Sequence, residues 1–389
     1  MTRLHDVLAE IADEVPAMDL ADRAITRHRR RRRITVALTA TATVTVALLG
    51  VGVGTALSPL PRFRESPITA ASQAEPYWWE IKSVPLPDRG AAQVRYAYLG
   101  SCAGGAATPD CKGGWRVVTQ DGRTYDVVQA NGDSAVDTGP LAITPDGRTM
   151  AYYNRQKQAF EVRDLKSGKV LTAPLKVLPR QLQGDVFLRL SGNGRYLAFA
   201  AFSGGNEPGA LVDMHNGRVT TLPADWMPVS VGDDGTVPVA NWWDMSSRIR
   251  LVSPAGRGRK VTIPEYGQNF SPLAPDGHTM AMVGKATGSG PSWKDSTLLP
   301  FDAVTGEIGN RVTVRGLPEG TGASKLGAWL NDTEVTALVR RVDGMGGRPG
   351  AKSPEVLYAV DIRTGHARPL ATYRPPGLTA ALFLPGVVY

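Results

Sequence analysis

The spacing of apolar and polar positions divides the chain into stretches of different character. At the start, Leu4, Leu8, Ile11 and Val15 recur at intervals of four, three and four, which gathers them on one face of a short helix that Pro16 ends. Asp19 is placed as the N-cap of a second short helix reaching about Arg27. Residues 34–57 carry no charge at all. As a helix, these 24 residues of mainly Ala, Val, Leu and Thr would extend about 36 Å, enough to cross a hydrocarbon core of roughly 30 Å with tilt. From residue 75 onward the apolar runs shorten and are cut by Gly, Pro, Asn and Asp, the pattern of strands and turns. The expected organisation is therefore a helical cytoplasmic segment over 1–33, a transmembrane helix over 34–57, a linker over 58–74 containing Pro59, Pro61 and Pro67, and a β domain over 75–389.

Within the β domain two signals repeat. The first is a tight turn followed by an apolar strand: Thr144-Pro145-Asp146-Gly147-Arg148, Ser191-Gly192-Asn193-Gly194-Arg195, Gly232-Asp233-Asp234-Gly235-Thr236 and Ala274-Pro275-Asp276-Gly277-His278, with a worn copy at Leu330-Asn331-Asp332-Thr333. Measured at Asp146, Asn193, Asp234, Asp276 and Asn331, the intervals are 47, 41, 42 and 55 residues, near the length of a four-stranded propeller blade. The second signal is a hairpin turn carrying Asp164 and Gly168, then Asp213 and Gly217, Asp302 and Gly306, and Asp361 and Gly365. Asp can hydrogen-bond the loop backbone two residues on, and Gly supplies the positive φ of a tight reversal. These Asp, Asn and Gly residues are therefore read as turn scaffold and not as a set of catalytic carboxylates.

The Pro-Asp-Gly-Arg turn followed by Asp-x-x-Thr/Ser-Gly resembles the repeats of TolB-type and bacterial WD-repeat-like β-propellers. The resemblance covers roughly residues 90–372 and is clearest near Asp146, Asn193 and Asp276. It implies an all-β propeller of six or seven four-stranded blades. The first blade is expected over about 92–130, with Asp121-Gly122 in a turn, and the apolar run after Pro376 is expected to close the ring against strands near Tyr77 to Val84.

Charge and composition add the orientation. Gly at 43 and Pro at 29 favour many turns. The formal charge of +8 is diffuse except for Arg27-His28-Arg29-Arg30-Arg31-Arg32-Arg33, a cluster that abuts the apolar run and that the positive-inside rule keeps on the cytoplasmic side. This places the N-terminus inside and the β domain outside the cytoplasmic membrane as a single-pass protein, and it argues against nucleic acid as a partner. The two cysteines, Cys102 and Cys111, flank a loop containing Gly104, Gly105 and Pro109. They are expected to form a disulfide worth roughly 2.5–3 kcal/mol in an oxidising compartment.

Candidate chemistry is sparse. His5 and His28 precede the apolar run, while His215, His278 and His366 fall in turns of different blades and have no metal-ligand spacing. Asp233 and Asp234 supply two carboxylates without the further spaced oxygens that calcium requires. No Gly-x-Ser-x-Gly elbow is present. No catalytic residue, cofactor site or metal site is assigned. The adjacent pairs Trp78-Trp79 and Trp242-Trp243 are candidate binding aromatics, since strand neighbours face opposite sides.

Three functional readings remain open on this basis. In the first, the propeller is a non-enzymatic binding or sensing module for a protein, peptide or envelope polymer. In the second, Leu4, Leu8, Ile11 and Val15 also grip a cytoplasmic sigma-type regulator; the two-helix, arginine-run, single-span layout is similar to that of membrane anti-sigma-like proteins, without their His and Cys zinc motif. In the third, acidic residues from several blades converge at the channel mouth as an enzyme acting on an envelope glycan or peptide.

Overall fold

A strand covered on both faces needs no polar alternation, and the middle strands here are apolar along most of their length. The strand Thr149–Asn154 is buried at every position after the first, and Tyr196–Phe202 at its first five. By contrast Val170–Lys176 and Val219–Thr221 expose alternate residues, as expected where one face of the strand meets solvent. In the computed structural model the described residues are 77, 80–100, 114–130, 140–182, 185–202, 207–244, 246–265, 267–284, 296–341, 354–376 and 379–389.

They build six sheets. Blade 1 has β1 (Val84–Pro85), β2 (Val94–Gly100), β3 (Gly114–Thr119) and β4 (Thr124–Asp126). Blade 2 has β5 (Leu141–Ile143), β6 (Thr149–Asn154), β7 (Ala159–Asp164) and β8 (Val170–Lys176), and blade 3 has β9 (Asp185–Leu190), β10 (Tyr196–Phe202), β11 (Ala210–Asp213) and β12 (Val219–Thr221). Blade 4 has β13 (Met227–Pro228), β14 (Val237–Asp244), β15 (Ser246–Val252) and β16 (Lys260–Ile263); blade 5 has β17 (Gly267–Phe270), β18 (Thr279–Gly284), β19 (Thr297–Asp302) and β20 (Val312–Thr313). Blade 6 has β21 (Thr321–Trp329), β22 (Glu334–Arg341), β23 (Glu355–Asp361) and β24 (Ala367–Tyr373), and β25 (Thr379–Phe383) returns to blade 1.

The six interfaces each have their own core. Trp115 and Val117 meet Met150 and Tyr152 between blades 1 and 2; Phe160 meets Phe199 between blades 2 and 3. Val237 packs with Leu211, Met280 with Ile249, and Val283 with Val335 in the next three. Leu338, Leu357 and Tyr373 meet Tyr98 and Leu382 between blades 6 and 1. Six clusters that return to blade 1 close the ring at six blades, and the seventh blade that the sequence allowed is absent among the described residues.

Closure differs from the expected partner. β25 pairs antiparallel with β2, Ala97 opposite Phe383 and Leu99 opposite Ala381. Val84–Pro85 instead lies parallel to β4 at the other edge of the sheet. The reason is local: proline offers no N–H to a ladder and belongs at an edge, whereas β2 presents seven residues with buried Val94, Ala97 and Tyr98.

The cytoplasmic segment with Leu4, Leu8, Ile11 and Val15, the apolar run 34–57 and the linker 58–74 lie outside the described residues, as do Trp78, Trp79, Cys102 and Cys111. Among the described residues no helix is long and apolar enough to cross a membrane.

Candidate functional site: the axis of the ring

The repeated turns come first, because they set the ends of the strands that reach the axis. Asp146 accepts hydrogen bonds from the Thr144 hydroxyl at 2.7 Å and the Arg148 amide at 3.0 Å. Asn193 accepts from the Arg195 amide at 2.9 Å, and Asp276 from the amides of His278 and Thr279, both at 2.8 Å. In the second set, Asp164 accepts from the Ser167 amide and hydroxyl, Asp302 from the amides of Val304 and Thr305, and Asp361 from those of Arg363 and Thr364. Asp213 accepts from the His215 amide and takes a forked ion pair from Arg195 at 2.7 Å. Gly147, Gly168, Gly194, Gly217, Gly277, Gly306 and Gly365 all have positive φ between 70° and 81°. At Gly168 and Gly365 the fit is also tight, since a Cβ would run into the main-chain oxygens of Asp88 and Thr313.

These turns use up their own polar groups. Asp233 caps the neighbouring blade by accepting from the Asn193 amide at 2.8 Å, and Asp234 accepts from the Thr236 amide. His278 places Nδ1 2.9 Å from Asp302 and Nε2 3.5 Å from Asp276. A cleft of about 170 Å³ between blades 3 and 4 is lined by Arg195, Asp213 and Asn216, whose side chains are already bound to one another. Among the described residues no three His, Cys, Asp or Glu side chains gather as a metal site. Trp242 and Trp243 lie in β14 where its register to β15 shifts between Asn241 and Asp244.

The axis is different. The first strands of neighbouring blades, β5, β9 and β13, approach one another, as do β17 and β21, and β25 and β5. Beyond β25 the chain runs across them: the Val388 amide donates to Leu326 O at 2.9 Å, Val387 bridges Gly327, and the Gly386 amide reaches Ile143 O at 3.4 Å. Tyr389 ends up against three blades. Its ring stacks on Phe383 with centroids 4.3 Å apart, its hydroxyl accepts from the Leu384 amide at 2.9 Å, and its main-chain oxygen accepts from Arg189.

Four charged side chains surround this point. Arg189, between Leu188 and Leu190 in β9, donates Nε to Val229 O at 2.8 Å and Nη1 to Leu188 O at 3.0 Å. Burial pulls its guanidinium down to about 10, still charged at neutral pH. Lys325 lies in β21 at a register shift between Ala323 and Lys325, the kind of bulge that re-aims a side chain out of the ladder's alternation. Its ammonium stands 5.5 Å from the Tyr389 ring centre. Among the described residues no carboxylate pairs with it and no acceptor binds it. Burial first, and then the charges of Arg189 and Arg340, bring its pKa down to about 8 against the opposing pull of Glu355.

Arg340 and Glu355 face each other across β22 and β23, because the register that sets Val339 opposite Val356 continues by one step. They pair at 2.8 Å, yet Arg340 Nε and Glu355 Oε2 are buried without a hydrogen-bond partner. Burial pushes the Glu355 carboxyl above its ordinary range despite Arg340, and burial together with Glu355 pushes the Tyr389 phenol up. Sequence reading missed all five residues. A usable signal existed for Arg189, a lone cation inside the run Val186-Phe187-Leu188-Arg189-Leu190. The other members are brought together only by hairpin register and by the path of the last residues.

No family model matches the chain, and no curated protein matches it. Solved structures do. TolB from Acinetobacter baumannii aligns with a TM-score of 0.46 at 20% identity, over 74% of this chain and 66% of that one, so that the chain spans just under two thirds of it. The putative TolB from Agrobacterium tumefaciens aligns with a TM-score of 0.45 at 12% identity, over 77% of this chain and 99% of that one. A functionally unknown protein from Desulfotomaculum acetoxidans DSM 771 follows the same pattern, with a TM-score of 0.41, 9% identity, and 72% and 80% covered. The chain is thus a six-bladed β-propeller, a class defined here by its strand order and its six inter-blade cores. It is similar in fold to TolB proteins.

Proposed function

We propose that this propeller is a non-enzymatic binding or sensing module, held outside the cytoplasmic membrane by residues 34–57 and engaging a peptide, protein or envelope polymer. The observation that carries the reading is the concentration of charge at the axis: Lys325 has no carboxylate partner among the described residues, and Arg340 Nε and Glu355 Oε2, two of the five buried polar atoms without a partner there, lie beside each other. Rigid scaffolds that keep uncompensated polar groups at one point commonly use them on a ligand. Anchorage is supported by the 24 uncharged residues and the arginine cluster before them.

A second reading is favoured by the apolar stripe Leu4, Leu8, Ile11 and Val15. In it, the same protein signals across the membrane, with this helix face docked on a cytoplasmic sigma-type regulator. One experiment addresses both. Full-length protein solubilised in detergent is captured beside a version lacking residues 1–26, and the co-purifying proteins and polymers are identified by mass spectrometry. Envelope components recovered with both versions support the binding module; recovery of none with either contradicts it. A cytoplasmic regulator recovered only with the intact N-terminus establishes the signalling reading, and identical partner sets refute it.

A further inference from the structure

We propose that the axis of the ring is a phosphate-binding site, in which Lys325 is the principal ligand and Arg340 and Arg189 stand behind it. The proposal rests on the binding-module reading and names the ligand group that this module takes. Three cations from blades 3 and 6 converge here, against the Glu355 carboxylate and the main-chain oxygen of Tyr389 that Arg189 holds, so the balance of the described groups stays positive. Arg189 is committed to three main-chain oxygens, and Arg340 is oriented by Glu355. The donors left over are the Lys325 ammonium and the buried Nε of Arg340.

Sign and number both select the ligand. Cations placed together in a partly buried site repel one another and lose hydration, a cost that falls when an anion enters. A positive balance and several separate N–H donors match an anion with three or more acceptor oxygens better than a single carboxylate. The lowered proton affinity of Lys325, caused first by burial and then by Arg189 and Arg340, is the same cost seen from the side of the protein. Geometry supports the site, because Lys325 stands at the first of two register shifts in the β21 ladder, between Ala323 and Lys325, the second following between Leu326 and Trp329. Nothing in the packing of Ala323 and Leu326, both fully buried in the blade 5/6 core, calls for a lysine between them.

The phosphate can be free or esterified, and the test separates the two. Calorimetric titrations of the full-length protein in non-ionic detergent at pH 7 use inorganic phosphate, then glycerol 3-phosphate, with chloride at matched ionic strength as the control. One equivalent of inorganic phosphate is expected to bind with a dissociation constant of about 1 mM or below, and Lys325→Met is expected to weaken it by roughly tenfold or more, with Lys325→Arg restoring most of the loss. Equal affinity for glycerol 3-phosphate assigns the site to an ester; binding of inorganic phosphate alone assigns it to the free ion. The same affinity in Lys325→Met as in the parent protein, or heat effects that chloride reproduces, overturns the proposal. So does the absence of binding of either phosphate to the parent protein at about 10 mM. Lys325→Met is not expected to lower the urea midpoint, so a loss of binding is separable from unfolding. If Lys325→Met keeps every envelope partner while phosphate fails to bind the parent protein, the axial site falls and the binding-module reading stands.

Discussion

The rim of turns and the axis of the ring both carry charged side chains and reach opposite electrostatic ends. At most of the turns the Asp or Asn sits within a few positions of the amides it accepts from, so sequence proximity satisfies it: Asp302 takes the amides of Val304 and Thr305 at 2.7 Å. At the axis the charged groups come from strands far apart in sequence, and their arrangement leaves Lys325, Arg340 Nε and Glu355 Oε2 without full compensation. Locally closed polar groups stiffen a fold, whereas groups left open in a stiff fold are available to something else.

The most damaging way to test that division is to remove the stiffness. Phe160 is fully buried, its ring 4.7 Å from Phe199 across the blade 2/3 interface and 5.7 Å from Tyr153. Phe160→Ala should cost about 3–5 kcal/mol of unfolding free energy, because the lost transfer energy is joined by a cavity that two flanking sheets cannot close. Chemical denaturation measures it; a cost below about 1 kcal/mol would mean that the blades repack independently of one another.

A smaller effect is expected at the rim. Gly365 has φ 73°, and a Cβ there meets the Thr313 main-chain oxygen of the preceding blade. Gly365→Ala should therefore cost at least the ~1–3 kcal/mol of backbone strain, with added displacement of blade 5 from blade 6. At Gly277, also at positive φ but with open space around it, the alanine variant should show the strain alone. Equal losses at the two sites would break the link between turn shape and inter-blade contact.

Much of the rim was legible in the sequence, and almost none of the axis. Asp-x-x-Thr/Ser-Gly specifies its own hydrogen bonds over five residues, so the repeat spacing carried the blade pattern. The blade 4 hairpin at Ser253-Pro254-Ala255-Gly256 escaped notice because it has no Asp, although Gly256 takes the same positive φ, 77°. The partner of β25 was misread because apolar character marks a strand without saying which edge it joins; the proline in Val84–Pro85 was the overlooked cue. Arg340 and Glu355 are 15 residues apart, and only the register of their hairpin makes them opposite. Tyr389 reaches Arg189 through the ring's curvature, which no local pattern encodes.

The two regions should also respond to pH in different windows, although in both the folded protein holds its proton less tightly than the unfolded chain. Lys325 holds its proton less tightly in the folded protein, at about 8, than an ordinary lysine does. The unfolded chain therefore binds more protons between about pH 8 and 10.4, and in that window this residue makes stability rise with pH. Relative to Lys325→Met, the parent protein should gain about 1–3 kcal/mol across the window, read from urea midpoints at pH 7 and pH 10. A flat difference would show that the ammonium is fully hydrated.

At the rim stability again rises with pH, but the window lies in acid, the charged form is the favoured one at pH 7, and the effect is smaller. The Ser167 hydroxyl and amide hold Asp164 below its ordinary range, and the Arg195 fork does the same for Asp213. A carboxylate depressed on folding contributes stability that is complete above its unfolded pKa, near 3.9, and is lost as pH falls through the lower folded value. Asp164→Ala should thus cost about 1 kcal/mol at pH 7, the usual worth of an Asp that closes its own turn, and progressively less below about pH 4. Asp164→Asn, which keeps an acceptor oxygen but has no charge to lose, should recover part of the stability at pH 7 and show no such acid dependence. If Asp164→Ala costs the same at pH 3 as at pH 7, the negative charge contributes nothing and the side chain closes the turn as a neutral acceptor of the Ser167 amide and hydroxyl. Only the loss of all cost at both pH values would mean that Gly168 and the strands on either side already impose the turn.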